Sequence, residues 1–377
     1  MKKIVIAAMA IMGVVTAGAS KAEDNIKIGV SVGLTGYAAT ADNGWRDGVM
    51  LAADYLNAHG GILNRQIIVQ AEDNRSEPQE AVTIYKKLIT SDKVDILVNG
   101  VLSAGNFAGA PLAVQAEIPM LLGSILPKPP AQEKWAFTPI TPPAFEIEKR
   151  LEYIRDYTSI KKIAVLSDPS PYGKLQSDIA EKRAESFGLT LVANERYKQD
   201  DADLSTQIIK TKEAGAGAIL KIGLGGTTLT AAKNIKQLGF DVLLLTSLED
   251  VAVFKPVSEV LGDKFFFVAS PPQIYDLLDD SQQKKAIWQF LEPWRAKYGQ
   301  RDPNWAVRGW DSVMIAAEAM KKAQTTEGAK VRDAIEKLSG LQGAGGIYNF
   351  SPTAHFGMTE NPLSLMQISG GALVFAK

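Results

Sequence analysis

The chain contains no cysteine in 377 residues. That excludes disulfides, thiol catalysis, iron–sulfur clusters and cysteine-type zinc sites. Histidine is nearly absent, with only His59 and His355, so metal or acid–base chemistry built on imidazole is poorly supplied. No metal and no cofactor is expected. After the N-terminal segment, no apolar run is long enough to cross a bilayer. Positive charge is not in excess, since 41 Lys and Arg stand against 42 Asp and Glu. A chain without a basic field is not built for nucleic acid or anionic lipid. Catalytic signatures are also missing. Gly223-Leu224-Gly225-Gly226 lacks the third glycine of a dinucleotide loop at the required spacing. Val101 stands two residues before Ser103, where a nucleophile elbow needs glycine. An enzyme is not expected.

The first feature present is an address. Lys2 and Lys3 form a positive start, an apolar stretch runs over 4–18, and Ser20-Lys21-Ala22 puts small residues at both positions a signal peptidase reads. This is the layout of a cleaved secretory signal over 1–22. With no cysteine at the cleavage point, a thioether lipid anchor is excluded. The mature chain is expected to begin near Glu23 and to stay in the periplasm, or be secreted, without membrane insertion. Cleavage removes three Lys and no acid, leaving 38 basic against 42 acidic residues, a net charge of −4.

About 355 residues remain, too many for one core of ordinary size and right for two. Strands and helices alternate along them. Strand signals at 26–32, 67–69, 94–98 and 119–122 are separated by helical periodicity, first through Trp45, Val49, Ala52 and Leu56 up to Gly60-Gly61. Ser76-Glu77-Pro78-Gln79 resembles a capping box with proline in the first turn. A third helix is expected over 106–116. This order implies a parallel sheet with helices on both faces. Six prolines between 127 and 143 break the pattern. A second series follows, with strands at 163–166, 189–193, 218–222, 242–246 and 265–269, closed by Pro271-Pro272. Helices are expected near 279–298, 304–323 and 328–338, then a hairpin about Gly370-Gly371. The fold class read from this is α/β, two doubly wound parallel-sheet lobes. The chain would cross between them near 138–142, 270–272 and 347–352. Lobe 1 would hold 23–138 with 271–346, and lobe 2 would hold 139–270 with 347–377.

In open α/β sheets a ligand binds at the C-terminal ends of the strands, where helix N-termini offer free N–H groups to an anion. The loops at those ends are 33–37, 99–105, 123–124, 168–173, 223–227 and 247–250, rich in Gly, Ser and aromatic residues. Tyr37 and Tyr172 supply flat walls with a polar tip, and Ser103 and Ser124 supply neutral donors, although Ser also suits a helix cap. Trp288, Trp294, Trp305 and Trp310 fall at helical spacing and read as packing residues.

At these residues the chain resembles the branched-chain amino-acid-binding family of periplasmic solute-binding proteins, which feed ABC importers. The matching stretches are 26–37, 48–63, Glu72-Asp73-Asn74, 94–100, Ser124 and Tyr172-Gly173, together spanning essentially the whole mature chain. The resemblance implies a type I periplasmic binding protein, whose two lobes are joined by a three-crossover hinge and close on a ligand. It implies a membrane permease as partner, and a monomer. Its carboxylate-binding hydroxyl falls either at Ser103 or, shifted by one, at Ala104, which lacks it. The following loop reads Ser124-Ile125-Leu126, where Ser124 fits the family and Ile125 cannot supply a hydroxyl. No aromatic stands at Thr227. The acidic partner of a ligand ammonium falls at Leu248 or Glu249. An unpaired ammonium in a closed cleft is costly. The thinned acceptor set therefore points to a small carboxylate without an α-ammonium, with an aromatic or branched body. The alternatives are a branched-chain or aromatic amino-acid binder of the same family, and a sensory ligand-binding protein.

Overall fold

The computed structural model describes residues 24–125 and 134–377. The signal expected at 1–22, and Leu126, lie outside the described residues.

The first sheet has the order β2-β1-β3-β4-β5 and is parallel throughout, built from β1 (Ile26–Val32), β2 (Ile67–Asp73), β3 (Ile96–Asn99), β4 (Met120–Leu122) and β5 (Ala136–Phe137). β1 alternates apolar Ile26, Ile28, Val30 and Val32 with Lys27, Gly29 and Ser31, and only Lys27 is partly exposed, so the strand is covered on both faces. α1 (Ala39–Ala58), α2 (Pro78–Lys87) and α3 (Ser103–Gln115) connect these strands. Ser76 does not form the expected capping box. Its hydroxyl donates to Thr35 O at 2.8 Å and accepts from Ala38 N–H at 3.2 Å, so it ties down the β1–α1 loop instead. α3 starts at Ser103, three residues earlier than the apolar pattern suggests, because Gly105 and Asn106 already sit in its first turn.

The second sheet has the order β14-β13-β10-β9-β8-β6-β7. Its parallel part comprises β6 (Lys162–Ser167), β7 (Thr190–Arg196), β8 (Ala218–Ile222), β9 (Leu243–Thr246) and β10 (Phe265–Ala269). β13 (Ser364–Ser369) and β14 (Ala372–Phe375) add an antiparallel edge, the hairpin read from Gly370-Gly371. Helices α4 (Pro143–Tyr157), α5 (Pro171–Ala184), α6 (Ser205–Glu213), α7 (Thr227–Gln237) and α8 (Val251–Leu261) flank it.

After β10 the chain returns to the first lobe as α9 (Gln282–Tyr298), α10 (Asn304–Ala323) and α11 (Gly328–Ile335), followed by the small pair β11 (Leu341–Gln342) and β12 (Ile347–Tyr348). α10 lies against α1 at very short range. Gly48 meets the Ala306 backbone, and Gly309 meets the Trp45 backbone, so side chains are excluded from both contact points. Trp294 and Trp310 are buried in this core as expected, whereas Trp288 is exposed. The third passage between lobes falls between Met358 and Leu363, later than the 347–352 expected. Tyr348, Phe350 and Met358 pack with the first core, and Leu363 is the first residue to join the second.

Candidate functional site

A cavity of about 260 Å³ lies between the C-terminal ends of the two sheets. Tyr37, Ser103, Ala104, Ser124, Tyr172 and Leu248, all singled out from the sequence, line it. Ile125, Thr227 and Glu249 do not. Ile125 is buried apolar packing, and Thr227 Oγ1 turns back to Leu224 O at 3.4 Å at the start of α7. Glu249 is engaged on the protein itself. Its Oε2 accepts from Gly225 N–H at 3.1 Å, and its Oε1 accepts from Trp305 Nε1–H at 3.1 Å and from Asp250 N–H at 3.3 Å. Burial raises the Glu249 carboxyl above the usual range, and these N–H groups pull it back.

The first lobe fixes its loops through Asp42 and Asn106. Asp42 accepts Gly33 N–H at 2.6 Å and Val101 N–H at 2.7 Å, joining the loops after β1 and β3. Burial pushes its carboxyl up to about 6. Asn106 donates to Gly100 O and to Ser124 Oγ, both at 2.8 Å, which orients the Ser124 hydroxyl. Leu102 precedes α3 and has no side chain to cap it, so the positive end of that helix opens at Ser103 and Ala104.

In the second lobe the polar groups form a chain. Tyr172 OH donates to Glu146 Oε1 at 2.5 Å and accepts from Gln176 Nε2 at 2.6 Å. Glu146 Oε2 accepts from Leu248 N–H at 3.0 Å. Behind them, buried Arg150 donates to Gln176 Oε1 at 2.8 Å. Burial and the facing Glu146 carboxylate hold the Tyr172 phenol well above its ordinary range, so it stays protonated. Asp168 takes the Ser170 hydroxyl at 2.5 Å, and Ser170 in turn caps α5 by accepting Gly173 N–H at 3.0 Å.

Sequence reasoning passed over Glu146 and Arg308 and read Trp305 as packing, yet all three line the cavity. Trp305 is therefore a cavity wall, not core packing alone. The Arg308 guanidinium sits 4.3 Å from the Trp305 ring centroid, and its Nη2 donates to Asn304 Oδ1 at 3.3 Å. Burial lowers its pKa, and the Glu146 charge across the cleft counters that. The available signal was a Trp and an Arg three apart on one helix face directly after a proline. For Glu146 it was an acid in the first turn after Pro142-Pro143.

The arrangement presents hydroxyls, a helix N-terminus, aromatic walls and one buried cation around a small enclosed space. That arrangement suits the binding of a small molecule. The periplasmic binding protein family matches residues 25–372. A leucine-, isoleucine-, valine-, threonine- and alanine-binding protein from Pseudomonas aeruginosa is 25% identical over 338 residues, covering 87% of this chain and 86% of that protein. The structure of an extracellular ligand-binding receptor from Rhodopseudomonas palustris superposes with a TM-score of 0.85 at 21% identity, covering 94% of this chain and all of that one. A fatty acid ABC transporter substrate-binding protein from Thermomonospora curvata gives 0.79 at 19% identity over 94% and 92% of the two chains. Such structural likenesses carry the type I fold. Among the described residues no helix is long and apolar enough to cross a membrane. With the family model matched over residues 25–372, the chain belongs to the periplasmic binding protein family.

Proposed function

We propose that this protein is the monomeric substrate-binding component of an ABC importer, and that it takes a small carboxylate with an aromatic or branched apolar body and no α-ammonium. The two lobes close on the ligand by hinge motion, and the closed form is read by a membrane permease. The protein performs no covalent chemistry. The observation that carries the ligand reading is the position of Glu249. The acid that would partner an ammonium has both oxygens committed to Gly225, Asp250 and Trp305, outside the cavity lining. Aromatic faces and the α3 N-terminus remain, which suit an aromatic or branched acid.

An amino-acid ligand is the second reading. Glu146 and Asp168 both line the cavity, and an ionised carboxylate has spare acceptor sites after two bonds. A thermal-shift and calorimetric panel on the mature protein separates the two, setting phenylacetate, phenylpyruvate and 4-methyl-2-oxopentanoate against Leu, Ile, Val and Phe. Stabilisation by the acids alone is expected. Stabilisation by the amino acids overturns the ammonium-free reading.

A further inference from the structure

Arg308 is 8% exposed, lines the cavity, and stands in the second turn of α10 on the first lobe. A guanidinium carries five N–H donors in a fixed fork. Among the described residues, one hydrogen bond to Asn304 and the Trp305 ring are what hold it, and it forms no ion pair with a carboxylate. Glu146, on the second lobe, is the acid whose field it feels most. The two Glu146 oxygens already accept from the Tyr172 hydroxyl and the Leu248 N–H.

A buried cation without a contacting anion is unfavourable, and such a group persists where it does something other than hold the fold. The placement is also well supported. Trp305 holds the guanidinium plane by its face, and the Trp305 indole is held in turn by Glu249 across the cleft. The side-chain polar groups of the first-lobe wall other than Arg308 include Tyr37, Ser103 and Ser124, all neutral hydroxyls, so the charge of an anionic ligand has its match at Arg308.

We infer that Arg308 is the charge-reading residue of this cavity: its guanidinium takes the ligand's carboxylate, and its positive charge disfavours a ligand ammonium beside it. This rests on the carboxylate reading above only in supposing that the ligand carries an acid group.

The test compares the mature wild-type chain with Arg308→Gln and Arg308→Lys. The probes are phenylacetate, 4-methyl-2-oxopentanoate and leucine, with calorimetry for affinity and thermal melting of each unliganded protein. Arg308→Gln should lose about 100-fold in affinity for whichever acid the wild type binds, and Arg308→Lys should recover part of it, since charge without the planar fork binds one oxygen less well. The unliganded Arg308→Gln chain should melt close to wild type, because relief of the buried charge offsets the lost Asn304 hydrogen bond and the lost field on Glu146, Glu249, Asp250 and Asp302. Acid binding by Arg308→Gln within threefold of wild type overturns the assignment while leaving the carboxylate reading intact. Leucine binding by wild type that is lost in Arg308→Gln upholds the carboxylate contact, since leucine also carries a carboxylate, but overturns both the ammonium-free reading and the exclusion of an ammonium by Arg308. If the wild type binds none of the three, the melting comparison decides alone, and a clear fall in the Arg308→Gln midpoint marks a structural pillar and overturns the inference.

Discussion

Removing the Glu249 side chain should weaken ligand binding by loosening the closed form, not by removing a ligand contact. Glu249 follows β9 of the second lobe, and one of its bonds, from Trp305 Nε1–H at 3.1 Å, crosses to the first. Its others, to Gly225 and Asp250, stay within the second lobe. In Glu249→Ala the bond to a charged or partly charged acceptor is lost across the cleft, about 1–3 kcal/mol. At about 1.4 kcal/mol per tenfold, the closed state becomes about 5- to 150-fold less favoured. Where only the closed state holds ligand, apparent affinity falls by the same factor. Calorimetry gives the affinity, and small-angle scattering of the liganded and unliganded protein gives the lobe separation. The signature is uniformity: every ligand, acid or amino acid, should lose the same factor, and more ligand should be needed to reach the compact form. A direct ammonium contact would instead confine the loss to amine-bearing ligands. An unchanged dissociation constant would refute the latch.

Three further outcomes are expected. Gly48→Ala would drive a methyl group into the Ala306 carbonyl at the α1–α10 crossing, so the melting temperature should drop by an amount equivalent to about 1–3 kcal/mol or more; an unchanged melt would mean the helices separate at little cost. Tyr172→Phe leaves Glu146 Oε1 and Gln176 Nε2 without their shared hydroxyl, and the unfolding free energy should fall by about 1–3 kcal/mol, read as a lower urea midpoint, whereas an unaltered midpoint would dismiss the network as a source of stability. Burial raises both Asp42 and Asp311 from 3.8 to about 6. Because the folded-state values are raised, the associated stability is present in full below 3.8 and is lost as pH rises through 6, about 3 kcal/mol for each. Thermal stability should therefore increase as pH is lowered from 7 towards 5, and Asp311→Asn should flatten that rise; a wild-type profile that falls over this window would contradict the burial assignment.

Much of the fold was legible because periodicity is a local property. The alternating apolar positions of β1, the largely apolar β8, the helix through Trp45 and Val49, and the Gly370-Gly371 hairpin follow from residues a few positions apart. Proline clusters near 138–142 and 270–272 suggested passages between lobes for the same reason. The third passage was misplaced because Tyr348 and Phe350 look the same in a strand of either lobe, and only their packing against the first core assigns them. Ser76 shows the same limit. Its neighbours spell a cap, but a loop some 40 residues earlier supplies better partners for its hydroxyl.

The sequence by itself determined that this is a two-lobed α/β chain of the periplasmic binding type, free of thiol chemistry, with its ligand loops after the strands. Tertiary structure alone decided which side chains face the cavity. Glu249 stands in a ligand loop, yet its carboxylate is satisfied by Gly225 and by Trp305, 56 positions later in the chain. Arg308 stands on a helix expected to pack, yet its guanidinium lines the cleft. A local pattern sets which elements form, because their hydrogen bonds and apolar stripes are short-range. Where a charged group points depends on which distant partner satisfies it, because burial makes an unmatched charge too unfavourable to leave in place without a purpose.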